Sequence, residues 1–156
     1  MERFKTHIRS KKLKDEEVVD VFEKILLAVD GSETADRAVE LTAQLATSMR
    51  SDVTVFHVRE VEYGRFHSTL EAPADALSIA NKVVERLTGQ GIVAKAEVRS
   101  APFGRAASEI VDEARQGGAD VIVMGSRGLS DWAASFVGSV AHKVINLANC
   151  PVLIAR

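Results

Sequence analysis

From Lys24 onward, short apolar runs alternate with segments whose apolar residues recur at helical spacing. Ile25-Leu26-Leu27-Ala28-Val29 predicts a buried strand, stopped by Asp30-Gly31-Ser32. Ala35, Ala38, Val39, Thr42, Leu45, Ala46 and Met49 then keep the period of one helix face. Val53 to Val58 reads as a second strand. A polar connection with Tyr63, Gly64 and Pro73 leads to a helix on Ala76, Ala80, Val83, Val84 and Leu87, closed by Gly89. The third strand is Val93 to Arg99, and the third helix carries Ala107, Ile110, Val111 and Ala114 up to Gly117-Gly118. Val121 to Met124 is the fourth strand. After a long loop, a last helix carries Val140, Val144, Ile145 and Ala148 and ends at Asn149 and Pro151, before a fifth strand, Val152 to Ala155.

Strict strand–helix alternation predicts an α/β fold, a three-layer sandwich with a parallel sheet between helices. Strand polarity suggests the order. In the third strand Ala94, Ala96 and Val98 alternate with Lys95, Glu97 and Arg99, as suits a charged edge. The first and fourth strands are apolar throughout, as central strands are. The order 3-2-1-4-5 satisfies both. It leaves the apolar fifth strand at the other edge, so Val152, Leu153 and Ile154 are expected to form a homodimer interface. The alternative is that the N-terminal segment covers that edge.

In such a sheet a ligand binds beyond the strand C-termini, where the winding reverses. Here that crevice lies between the first and fourth strands. The first strand runs into Asp30-Gly31-Ser32, and the fourth into Gly125-Ser126-Arg127-Gly128. Nine residues later Gly138-Ser139 opens the last helix. Glycines lacking a Cβ let backbone approach an anion, so the amides of Gly125, Ser126 and Gly128 suit a phosphate nest. The N-terminus of the last helix adds donors and a favourable dipole. Ser139 either gives a phosphate its hydroxyl or caps the helix. Asp30 either faces a nucleotide or caps the helix after it.

Composition narrows the classes. A length of 156 residues fits one domain, and a net charge of -2 supplies no general attraction for nucleic acid or acidic membranes. The N-terminal residues place Arg3, Lys5, Arg9, Lys11, Lys12 and Lys14 before Asp15, Glu16, Glu17 and Asp20. This reads as a solvated charged extension over residues 1–23, with the folded domain over 24–156. The basic start lacks a secretory apolar stretch, no run is long enough to cross a bilayer, and Cys150 has no disulfide partner; the expected address is cytoplasmic.

Val123-Met124-Gly125-Ser126-Arg127-Gly128 followed by Gly138-Ser139-Val140 resembles the G-x2-G-x9-G-[ST] motif of ATP-binding universal stress proteins. The resemblance extends through Ile25 to Ser32, His57-Val58, Ala119-Asp120 and Cys150-Pro151-Val152, and so over roughly Lys24 to Arg156. It implies a Rossmann-like fold of the adenine nucleotide alpha hydrolase type and a regulatory stress-response module. It also implies adenosine contacts at Ala28 and Asp30 and an adenine contact at the Val58 backbone. Ribose and phosphate contacts are implied at Gly125, Ser126, Gly128, Gly138, Ser139 and Val140. Arg127 contacts either phosphate or a dimer partner. The implied ligand is ATP, ADP or AMP, with Mg²⁺ accompanying the phosphates near Asp30. Relatives often carry Lys or Arg where this loop has Asp131, Trp132, Ala133 and Ala134, which counts against tight triphosphate binding.

Enzyme signatures are missing. The sequence holds no P-loop lysine motif, no G-x-G-x-x-G after the first strand, and no G-x-S-x-G elbow. A binding module with at most slow ATP hydrolysis is expected; a weak Mg²⁺-dependent ATPase and a nucleotide-free scaffold are the alternatives. His57 reads as a hydrogen-bonded core histidine, His142 as surface or packing, and Cys150 as a small buried hydrophobe. His7 and His67 lack partners at metal-ligand spacing.

Overall fold

The computed structural model describes residues 21–61, 71–126 and 138–156. The basic N-terminal stretch, His7, His67, Arg127, Gly128 and the loop 129–137 lie outside them. The elements are β1 (Lys24–Ala28), α1 (Glu33–Met49), β2 (Asp52–Val61), α2 (Pro73–Thr88), β3 (Ala94–Pro102), α3 (Ala106–Gly117), β4 (Val121–Gly125), α4 (Ser139–Leu147) and β5 (Val152–Ala155). All pairings are parallel and the order is β3-β2-β1-β4-β5, as the strand polarity predicts.

The period-two geometry of a strand explains why β1 and β4 are apolar at every position. Ile25, Leu27, Val121 and Val123 point into one core with α1 and α2. Leu26, Ala28, Ile122 and Met124 point into a second with α3 and α4. At the β3 edge Lys95 and Glu97 are exposed and pair with each other. Arg99 instead folds back over the Phe56 ring and bonds Glu109 and Glu113 of α3.

β2 and β3 run past their predicted ends at Val58 and Arg99, because they continue to pair with each other to Val61 and Pro102 after β1 has stopped. α4 is shorter than predicted. Ala148 turns extended (φ -67°, ψ 142°) and acts as its C-cap.

One polar group is out of place in the first core. Thr42 on α1 is fully buried, and its hydroxyl has no hydrogen-bond partner among the described residues. A buried, unsatisfied hydroxyl is destabilising, so Thr42→Val is expected to stabilise the fold by about 1 kcal/mol. Thermal denaturation checks this as a Tm rise of a few degrees.

Candidate functional site

The chain passes from β1 to β2 on one side and reaches β4 on the other, so the winding reverses between β1 and β4. Past β1, the Asp30 carboxylate accepts the Ser32 amide (3.0 Å) and shapes the turn. Gly31 sits at φ +78°, where a side chain is strained. The α1 cap is Ser32, whose hydroxyl accepts from the Ala35 amide (3.2 Å). Of the two uses open to Asp30 in the sequence, helix capping therefore belongs to Ser32.

Gly125 ends β4 directly against this turn. A Cβ built there would lie 2.6 Å from Thr34 Oγ1 and 2.7 and 2.8 Å from the Thr34 backbone C and O. The close approach of α1 is by itself enough to require a glycine here. The Ser126 amide is reassigned. It donates to the Ala155 carbonyl (2.8 Å), extending the β4–β5 ladder, and is not left for a nest.

The second glycine cluster does return to the first. The Gly138 amide donates to the Ser126 carbonyl (2.6 Å), and Gly138 is buried. Gly138, not Ser139, is the N-cap of α4, with no side-chain capping bond. The helix ladder begins with the His142 amide on the Gly138 carbonyl (2.9 Å). The amides of Val140 and Ala141 thus lie in a first turn with no intrahelical acceptor, at the end of the helix whose dipole favours negative charge.

Val58 lies on the β1 side of the same crevice. Parallel pairing turns alternate peptides to opposite neighbours. Asp52 donates to Glu23 and Phe56 accepts from Val29, whereas Val53 donates to Val93 and Val61 accepts from Phe103. Even-numbered residues of β2 therefore aim their N–H and C=O toward β1, and odd ones toward β3. Val58 aims at the side where β1 has ended at Ala28. The ladder acceptor for its amide would be the Val29 carbonyl, which instead accepts from Nδ1 of buried His57 (2.8 Å). His57 Nε2 meets Glu71 Oε2 at 2.8 Å. Sequence reading places His57 correctly as a bonded core residue but misses Glu71, which lies across the connection after β2.

The universal stress protein family model matches residues 22–156. The chain belongs to that family. It is 31% identical to universal stress protein YxiE of Bacillus subtilis, the match covering 87% of this chain and all of the relative. The solved structure of MJ0577 from Methanocaldococcus jannaschii superposes with a TM-score of 0.74 at 28% identity, covering 86% of this chain and 96% of the other. A universal stress protein from Archaeoglobus fulgidus, solved in complex with dAMP, superposes with a TM-score of 0.68 at 26% identity, covering 87% and 99%.

Elsewhere in this universal stress protein, Val152, Leu153 and Ile154 are half-buried on the β5 edge. Cys150 is half-buried, not fully buried as read from sequence, and desolvation pushes its thiol pKa up, so it is a poor nucleophile. His142 is exposed, with Asn146 hydrogen-bonded to its carbonyl (2.8 Å). Among the described residues no cluster of three or more His, Cys, Asp or Glu could hold a metal, and no helix is long and apolar enough to cross a membrane.

Proposed function

We propose that this universal stress protein binds an adenine nucleotide at the C-terminal ends of β1 and β4, and acts as a dimeric regulatory module. The observation that carries the reading is the return of α4 to Ser126 through the Gly138 amide (2.6 Å). It sets a helix N-terminus at the crevice where the winding reverses, with Val140 in its first turn. The Val58 peptide offers one donor and one acceptor, complementary to the ring-nitrogen and amino edge of adenine. Ala28 and Asp30 flank the space between base and phosphate. Gly128 and Ser139 join the phosphate end, and Arg127 is the one cation between Gly125 and Ser139. That charge suits AMP or ADP better than ATP, and any Mg²⁺ depends mainly on phosphate oxygens, with Asp30 nearby. The dAMP complex of the Archaeoglobus relative supports the ligand class. The β5 edge, together with exposed Ile145 and Leu147 on α4, supports pairing with a second copy.

Denaturing the purified protein and identifying released small molecules tests the ligand class, and calorimetry with AMP, ADP and ATP tests its preference. Gly128→Val is expected to weaken nucleotide binding by about a hundredfold, by inserting a side chain where backbone meets phosphate. Unchanged affinity rejects the site.

A further inference from the structure

We infer that the charged N-terminal segment of this same chain, residues 1–20, occupies the groove between α1 and α2. The groove has a volume of about 600 Å³ and lies on the solvent side of the two helices that cover the first core. Glu40, Gln44 and Thr47 of α1 line one wall, and Arg86 of α2 and Gln90 just after it line the other. Apart from Ala43 its lining is polar or charged, which suits a hydrophilic segment and not an apolar one.

The described chain starts beside one end of this groove. The Phe22 carbonyl accepts from the Ser51 hydroxyl, two residues past the end of α1, and the Asp52 amide donates to the Glu23 carbonyl (2.8 Å). Thr47, Ser48 and Gln90, at the last turns of α1 and α2, therefore form the end nearest Val21, and Glu40 and Asp36 follow farther along. From Ser48 to Asp36 the helix rises about 18 Å, and the seven residues from Val21 back to Lys14 reach about 23 Å when extended.

The charges are in complementary order. Going back from Val21, the segment is acidic at Asp20, Glu17, Glu16 and Asp15, then basic at Lys14, Lys12, Lys11 and Arg9. On the groove side, Arg50 is exposed at the C-cap of α1, at the near end. Farther along, Asp36 and Glu40 share the one Arg86 guanidinium, at 3.8 and 3.1 Å, and their side chains stay 70% and 62% exposed. Neighbouring Arg37 is engaged by Glu33 (3.0 Å). Two carboxylates against one guanidinium leave a negative charge over, and a lysine ammonium fits it. Exposed ion pairs are individually weak, but a tethered segment makes several of them at high effective concentration. The β5 edge offers no such match, since Val152, Leu153 and Ile154 carry no charge.

Spin labelling of the full chain tests the placement. Ser10→Cys, in a Cys150→Ser background, puts a nitroxide label among the basic residues without removing any of them. In NMR spectra of the isotope-labelled protein, the amide signals of Glu40, Gln44 and Arg86 should lose most of their intensity, while those of Val152, Leu153 and Ile154 keep theirs. Lys11→Glu, Lys12→Glu and Lys14→Glu together should restore the lost signals. Raising the salt until the Debye length falls from about 8 Å to about 3 Å should do the same. Loss of intensity along β5 instead would overturn the inference in favour of a covered edge. An even, slight loss over the whole surface would overturn it in favour of a solvated segment, and so would losses at the groove that survive the charge reversal, because charge would then not direct the contact. No nucleotide enters the experiment, so each of these results leaves the nucleotide site as it stands.

Discussion

Replacing Gly125 by alanine is expected to destabilise the protein by about 1–3 kcal/mol or more and to abolish nucleotide binding together with it. The new methyl group would lie 2.6 Å from the Thr34 hydroxyl, and a rotamer change could relieve that contact alone. It could not relieve the 2.7 and 2.8 Å contacts to Thr34 C and O, which belong to the first turn of α1. Either α1 moves off the sheet or the end of β4 moves. The first shift disturbs the Ser32 cap and the Asp30 turn, and the second disturbs Ser126, which anchors both Ala155 and Gly138. Each is part of the proposed pocket. Urea denaturation and AMP calorimetry on the same sample check the outcome. Thr34→Ala in the Gly125→Ala background is the control, and it should restore little, because the obstructing atoms are backbone. A variant with parental stability would mean that α1 and β4 are not in close contact there.

Gly125 also shows how far the sequence could be read. Topology was legible from strand polarity taken together. The charged alternation of Lys95, Glu97 and Arg99 suits an edge, the apolar runs Ile25 to Val29 and Val121 to Met124 suit the centre, and the equally apolar fifth strand takes the remaining edge. The crevice followed from the order. A special backbone site at Gly125 was legible too, but its packing against α1 was not. Close approach to an anion and close approach to another peptide demand the same absent Cβ, and the second becomes visible only once Thr34 is placed against it. The Ser126 amide and the His57–Glu71 pair were hidden for a related cause. Each depends on a partner brought in by tertiary structure, Ala155 in one case and Glu71 in the other. Boundaries shifted where pairing outlasted local pattern, as in β2 beyond Val58.

Phe56→Ala is expected to be the most damaging single substitution in the sheet, at about 3–5 kcal/mol. Phe56 is 1% exposed and fills the core beneath α3 and α4, so truncation leaves a cavity between rigid elements that cannot collapse onto it. The loss also reaches the β3 edge. The Arg99 guanidinium lies 5.4 Å from the ring centroid while bonded to Glu109 and Glu113, so the ring is one wall of a half-buried ion cluster. Against a total stability of about 5–15 kcal/mol, such a loss leaves a substantial unfolded fraction at physiological temperature. Phe56→Leu keeps most of the volume and should lose less. The difference that remains contains the cation–π contribution, expected to be about 0.5–1 kcal/mol in a double-mutant cycle with Arg99→Met. The nucleotide site supplies an independent check, because the Phe56 carbonyl, not its ring, receives the Val29 amide (3.0 Å). Phe56→Leu should therefore bind AMP as the parent does at temperatures where it is fully folded. Weaker binding there would mean that the ring itself, and not only the backbone of β2, shapes the pocket.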